Sequence, residues 1–260
     1  MNGEFDDYYQ LIYGERWPLL RDSLLKPSKP VPYSEKLLKP YMLDYASILA
    51  AMTLRLPKGG LVLDACAAPG GKSLVISSLM DDATSLISNE FSNERRRRLC
   101  AVLDEHLDKK TRQQVKVSGF DAAKQGGRKT EIGRYDAILL DAPCSSERHV
   151  IQDKNALAKW SPKRPRFLSQ RQWSLLSSAF LLLKEGGSLV YITCAISPLE
   201  NDSVAERLFK KYQTQVLLDP VDLAIGENTQ FGKIILPDQW DGMGPMYVAR
   251  FIKTSEKRDK

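Results

Sequence analysis

Five short runs of apolar and β-branched residues punctuate the middle of the chain: LVLDA (61–65), TSLISNE (84–90), QVKVSGF (114–120), YDAILLD (135–141) and SLVYIT (188–193). Each has the length and composition of a strand, and segments of helical length separate most of them. Alternation of this kind predicts right-handed β-α-β crossovers and a mostly parallel sheet with helices on both faces. Ligands of such sheets sit beyond the carboxyl ends of the strands. Asp64, Glu90, Asp121, Asp141 and Cys194 all fall at or just past a predicted strand end, so five chemically capable side chains share one edge of one sheet.

Two further runs, Lys233–Leu236 and Met246–Lys253, are close enough to pair antiparallel at the sheet's edge, which makes seven strands in all. Residues 1 to about 35 carry Pro27, Pro30 and Pro32 among lysines and read as an extended arm with one short helix around Trp17–Leu25. From Ser34 to Leu56, the residues Leu37, Leu38, Met42, Leu43, Ala46, Ile48, Leu49 and Met52 are spaced for a helix interrupted at Pro40. Ser169 is placed to cap a helix whose Trp173, Leu176, Phe180 and Leu183 form a core stripe ended by Gly186 and Gly187. These readings divide the chain into an N-terminal arm and lead-in helix (1–56), one α/β domain (57–253) and a charged tail (254–260).

Composition narrows the partners. The chain has 260 residues, 38 Lys and Arg against 32 Asp and Glu, and a net charge of +6, which fits an anionic partner such as nucleic acid. Its four cysteines, at 66, 100, 144 and 194, form no CxxC pair, so neither a metal knuckle nor a disulfide scaffold is expected. The acidic, aromatic N-terminus lacks signal-peptide and transit-peptide patterns, and no apolar run reaches the roughly 20 residues of a membrane helix. The expected setting is the cytoplasm, away from any membrane.

LVLDACAAPGGKSLVI (61–76) ends like a P-loop, but the position that a P-loop fills with glycine is Cys66. A small-residue turn between strand and helix still lets a ligand approach the backbone and the helix N-terminus. Glu90, at the end of the next strand, is placed to accept from ribose hydroxyls. Anionic Glu90 and Asp121 suit a nucleoside whose other end is cationic and disfavour a triphosphate, so the loop reads as a seat for an adenosyl sulfonium. Taken singly, Gly70 and Gly71 also fit a plain tight turn, Lys72 a solvated helix start, and Asp64 a strand-end cap.

DACAAPGGKS, DAPCSS and YITCAIS, in that order, together resemble the NSUN/RsmB (Fmu/Sun) family of RNA cytosine-5 methyltransferases over roughly residues 38–252. YMLDYASILAAMTL is similar to the family's lead-in helix, while RH after the Pro-Cys loop and GPMY near the end are similar to its mitochondrial ribosomal RNA branch. The resemblance implies a Rossmann-like class I methyltransferase fold and S-adenosylmethionine as cofactor. It assigns cofactor binding to Cys66, Ala67, Ala68, Pro69, Gly70, Gly71 and Lys72, to Glu90 at the ribose, to Arg95, and to Asp121 and Asp141 near the adenine and the methyl donor.

Cytosine carbon-5 is a poor nucleophile until a thiolate adds to carbon-6, and the adduct must later lose its carbon-5 proton and the thiolate. Chemistry alone leaves the roles of Cys144 and Cys194 open. The resemblance makes Cys194 the nucleophile and Cys144 the residue of product release. Lys159, Lys163, Arg164, Arg166 and Arg171, with Trp160 and Phe167, suit phosphate contact and base stacking beside the site. Ribosomal RNA is the first expected substrate and transfer RNA the second. Specificity is expected from residues 1–60, from the basic segment or from a partner protein. An RNA-binding scaffold that merely kept the fold is disfavoured by the presence of both cysteines and all the acids.

Overall fold

A computed structural model describes residues 3–255. Two helices open it, α1 (Gly3–Tyr13) and α2 (Trp17–Leu25), joined by a single 3-10 turn. The short helix expected around Trp17–Leu25 is α2, whereas the chain before it, expected to be extended, forms α1. Phe5 and Tyr9, then Trp17, Leu20 and Leu24, recur at helical spacing, and all five are buried. The helix expected over 34–56 is also revised. Strands β1 (Val31–Tyr33) and β2 (Tyr41–Leu43) form an antiparallel hairpin, and only α3 (Tyr45–Met52) is helical. Pro32 and Pro40 disfavour helix across this stretch, and Asp44 starts α3 by accepting from the Ala46 N–H at 2.8 Å.

The central sheet is built from β3 (Gly60–Asp64), β4 (Thr84–Asn89), β5 (Val115–Ser118), β6 (Tyr135–Asp141) and β7 (Leu183–Thr193), with β8 (Val216–Leu218), β9 (Glu227–Asn228), β10 (Lys233–Ile235) and β11 (Met246–Lys253) at one side. The order is β5-β4-β3-β6-β7-β11-β10-β9. The first five strands are parallel and β11 is antiparallel to β7. The sheet thus has nine strands where seven were expected. The outer edge of β11 is shared end to end by β8, against Phe251–Lys253, and β10, against Met246–Val248, and the two-residue β9 pairs beyond β10.

Connecting these strands are α4 (Gly71–Leu79), α5 (Asn93–His106), α6 (Lys109–Gln114), α7 (Ala122–Gln125), α8 (Glu147–Gln152), α9 (Lys154–Ala158), α10 (Lys163–Leu182) and α11 (Asp202–Tyr212). Successive strand residues enter opposite cores. Val62, Leu86, Leu139 and Val190 pack with α3, α4 and α5, whereas Leu63, Ile87, Ile138 and Leu189 pack with α1, α2, α8, α10 and α11.

Ser169 lies inside α10 rather than at its cap, its hydroxyl donating to Arg166 O at 2.8 Å. The cap is Pro162, seven residues earlier, and Pro165 falls in the first turn, where a missing N–H costs nothing. Nor do Gly186 and Gly187 end that helix. They lie in β7, where a Cβ on Gly187 would sit 2.8 Å from Asp136 O, beside the register shift between Tyr135 and Ala137. Of the expected tail, residues 256–260 lie outside the described residues.

Candidate active site

The turn after β3 runs Cys66-Ala67-Ala68-Pro69-Gly70-Gly71-Lys72 into α4. Gly70 holds φ +124°, a conformation open to glycine, and a Cβ on Gly71 would overlap the Leu43 side chain of β2. The turn is pinned at both sides: the Ala67 N–H donates to Asn89 O at 2.8 Å, and Arg95 Nη2 donates to Ala68 O at 2.8 Å. Glu90 closes β4, its carboxylate accepting from the Ser92 N–H at 2.8 Å and lying 3.3 Å from Arg95 Nη1. Between these walls is a cleft of about 230 Å³ lined by Cys66, Asn89, Glu90, Arg95, Pro143 and Leu175, among others. Asn89 is a residue that sequence reasoning missed. Its amide donates to Ala65 O and Phe120 O and accepts from the Phe120 N–H, which ties the ends of three strands together.

Asp121 is not among the residues that line this cleft. Its carboxylate caps α7 through the Ala123 N–H at 3.1 Å and meets Arg171 Nη2 at 2.9 Å. Asp141, at the end of β6, binds Lys72 Nζ at 2.7 Å, and the two line a second hollow of about 160 Å³ with Asp64, Cys66 and Ser47. Burial pulls Lys72 down, but Asp141 outweighs it and the ammonium's pKa ends above its ordinary value. Asp64 is fully buried. Burial lifts its carboxyl to about 7, against the lowering effect of the Ser73 hydroxyl bond at 2.7 Å, and its Oδ1 has no hydrogen-bond partner. Burial also pushes the Cys66 thiol up, which leaves it unreactive.

Two of the other three cysteines meet. Cys144, in the loop after β6, and Cys194, just past β7, have their sulfurs 2.7 Å apart, and the Cys194 N–H donates to Cys144 Sγ at 3.3 Å. Both thiols are free, and the Ser146 hydroxyl lies 3.2 Å from Cys194 Sγ and 3.6 Å from Cys144 Sγ. The bond from Cys144, with help from Ser146 and Lys72, holds the Cys194 thiol below its ordinary value. The same bond and burial push Cys144 up. The contact thus acts in opposite directions on the two thiols, and either sulfur can be its donor. Ser146 has φ +53°, a left-handed conformation unusual for serine, and it aims the hydroxyl between the sulfurs. A cavity of about 300 Å³ opens at this point, lined by Asp44, Ser47, Ser146, His149, Cys194 and Met246, among others.

The basic segment divides. Lys159, Lys163, Arg164, Arg166 and Phe167 are exposed. Trp160, expected to stack on bases, is instead 3% exposed and packs edge-on against Phe5, with ring centroids 5.0 Å apart. Its partners lie in α1, the helix that the proline-rich composition of the arm concealed.

Residues 51–252 match the family described as 16S rRNA methyltransferase RsmB/F. The chain belongs to the RsmB/F family. It is 31% identical over 234 residues to the 5-cytosine rRNA methyltransferase NSUN4 of Xenopus laevis, covering 84% of this chain and 57% of that one. It is 38% identical over 183 residues to ribosomal RNA small subunit methyltransferase F of Aeromonas salmonicida, covering 69% and 37%. The chain thus spans about half the length of the curated relatives it matches, or less. Among solved structures it resembles a methyltransferase homologue from Pyrococcus horikoshii (TM-score 0.75, 20% identity, 96% of this chain and 94% of that one). It also resembles NSun6 from the same organism, solved with SFG (TM-score 0.71, 23%, 86% and 55%). RsmB/F proteins are S-adenosylmethionine-dependent methyltransferases, and the donor set here fits that cofactor. Glu90 offers a carboxylate for a ribose diol, and Asp64 carries an acceptor oxygen with no partner beside the glycine turn.

Proposed function

We propose that this RsmB/F protein methylates carbon-5 of a cytidine in ribosomal RNA through a covalent cysteine adduct. The observation that carries the reading is the sulfur pair, 2.7 Å apart, of which Cys194 lines a cavity. The cofactor supplies an electrophilic methyl group when bound. Glu90 and Arg95 hold the nucleoside end, and the Cys66–Lys72 turn and α4 approach it with backbone. Cys194, whose thiol its neighbours hold below its ordinary value, adds as thiolate to carbon-6 of a cytosine seated in the cavity, which breaks the ring's aromaticity and places electron density on carbon-5. Asp141, held by Lys72, faces the reacting edge of the base. Cys144 then serves the elimination, in which the proton of the methylated carbon-5 passes to solvent, the C–H electron pair restores the ring double bond, and Cys194 leaves carbon-6 as thiolate. Exposed Lys163, Arg164 and Arg166 supply phosphate contacts, with residues 1–60 or a partner protein adding specificity. The cytoplasmic setting rests on composition, and the described residues include no helix long and apolar enough to cross a membrane.

Bisulfite sequencing of total RNA from cells with and without the gene tests this reading. A ribosomal cytosine that loses its protection supports it. Loss confined to transfer RNA moves the substrate, and no loss anywhere removes the activity.

A further inference from the structure

The loops that carry the two sulfurs are tied to one another by two buried carboxylates in crossed fashion. Glu147 follows the Cys144 loop in sequence, yet its Oε2 accepts from the Ile196 N–H of the Cys194 loop at 3.1 Å. Glu200 follows the Cys194 loop, yet its Oε2 accepts from the Ser145 N–H of the Cys144 loop at 2.9 Å, and its Oε1 accepts from the Ser145 hydroxyl. Gln172 of α10 adds a third donor to Glu200 at 2.8 Å. Both carboxylates are fully buried. Behind them stands α1. Tyr9 donates to Glu147 Oε1 at 2.5 Å, Tyr13 donates to Ile196 O at 2.7 Å, and the Tyr8 hydroxyl lies 3.4 Å from Ser197 Oγ.

Two buried carboxyl groups are a costly way to fill space, since apolar side chains of similar volume pack without the desolvation penalty. What a carboxylate does that leucine cannot is accept from loop N–H groups that no strand partner reaches. Each loop here presents such a group, and each is met by the acid belonging to the other loop. Neither loop can shift without breaking a bond to its opposite, and the sulfurs' approach depends on both.

We propose that Glu147 and Glu200 are positioning residues, a reciprocal clamp that holds Cys144 and Cys194 at hydrogen-bonding distance, with Tyr9 of α1 as its outer anchor. The effect on turnover rests on the cysteine roles proposed above, whereas the effect on the sulfur pair does not. Burial, and then Glu200, raise Glu147 to about 8, and burial raises Glu200 as well, against the lowering effect of its bonds from Ser145 and Gln172. The groups that face Cys194 itself are Cys144, Ser146, Asp141 and Lys72.

The test uses the full chain with Tyr9→Phe, which removes one oxygen and leaves the ring packed on Trp17 and Trp160, and with Glu147→Ala and Glu147→Gln. Three quantities are measured: the Kd for S-adenosylmethionine, the pH profile of Cys194 alkylation by iodoacetamide read by mass spectrometry, and kcat and KM on RNA. In Tyr9→Phe and Glu147→Ala the alkylation midpoint rises by about half to one pH unit and kcat falls up to about tenfold, with the Kd held within about twofold. Glu147→Gln, which keeps a carbonyl for the Ile196 N–H, stays near the unmodified protein. Should Glu147→Ala fail to fold, Tyr9→Phe decides alone. An unchanged alkylation profile overturns the clamp, and so does a Kd that weakens in step with kcat, which marks general loosening. If the unmodified protein methylates no RNA, the methyltransferase reading falls while the alkylation profile still decides the clamp.

Discussion

Replacing Cys144 with alanine separates attack from release. The substitution removes the sulfur that lies 2.7 Å from Cys194 Sγ and leaves the Ser146 hydroxyl at 3.2 Å and Lys72 as the remaining groups that lower the Cys194 thiol. A hydrogen bond to a charged group is worth about 1.5–3 kcal/mol, and a thiol is a weak donor, so the low end applies. Losing that contact therefore raises the Cys194 thiol and leaves less of it as thiolate. A more basic thiolate is also intrinsically more nucleophilic, which recovers part of the loss, so attack slows by less than about tenfold. Release, by contrast, loses its assigned residue. Cys144→Ala should therefore accumulate a protein–RNA adduct slowly but to completion, whereas Cys194→Ala binds cofactor and forms none. A denaturing gel with labelled RNA and S-adenosylmethionine reads this directly, because only a covalent complex survives denaturation. A trapped complex from Cys194→Ala with none from Cys144→Ala would reverse the two roles. Normal turnover by both variants would end the covalent mechanism.

Three further outcomes follow from the same geometry. Glu90→Ala should weaken S-adenosylmethionine binding by about 10- to 150-fold, the worth of one charge-assisted hydrogen bond, and calorimetry showing less than about a threefold change would remove Glu90 from the cofactor site. Replacing Lys163, Arg164 and Arg166 together with alanine should weaken RNA binding and flatten its dependence on log salt by up to about 0.7 per lost phosphate contact on single-stranded RNA, while an unchanged slope assigns all three to solvent. Asp64 has a folded-state value near 7 against an ordinary 3.8, so its contribution to stability is complete below about 4 and is lost as pH rises through 7. The melting temperature of Asp64→Asn relative to the unmodified protein should accordingly climb between pH 4 and 8, and a constant difference would mean that Asp64 does not titrate in that window.

The parallel strands were legible because apolar β-branched runs of five to seven residues, most of them separated by segments of helical length, admit few other readings, and the CAAPGGK turn was legible because glycine at φ +124° is a steric demand written into residue type. Helix α1 was not. Its stripe of Phe5 and Tyr9 is short, and the prolines downstream dominated the composition of the arm. The carboxylates escaped for a different reason. Glu147 and Glu200 look like ordinary surface acids in sequence, and only the crossing of two loops, brought together by the β6–β7 pairing, shows that both are buried. Ser146 was hidden likewise, since its role comes from a backbone angle and not from its spacing.

The arm's position gives these missed residues a common logic. Residues 51–252 carry the family match, yet the walls of the 300 Å³ cavity are fastened from outside that range. Gln152, on the α8 wall, donates to Leu24 O of α2 at 2.7 Å. Across the cavity, the segment leading to Gly244, Pro245 and Met246 is held through Arg16, whose guanidinium meets Asp238 at 2.6 Å and Glu227 at 2.6 Å. The third wall, α3, presents Asp44, which accepts from the Gly244 N–H at 3.2 Å while capping its own helix. One arm thus spans two walls of the cavity, and Tyr9 reaches the Cys194 loop through Glu147. Aromatic burial supplies the adhesion, since Phe5, Tyr9, Trp17 and Trp160 form one cluster with ring centroids about 5 to 6 Å apart. Helices α1 and α2 therefore act as part of the site's frame, and Trp160 anchors the arm where sequence alone suggested a platform for RNA.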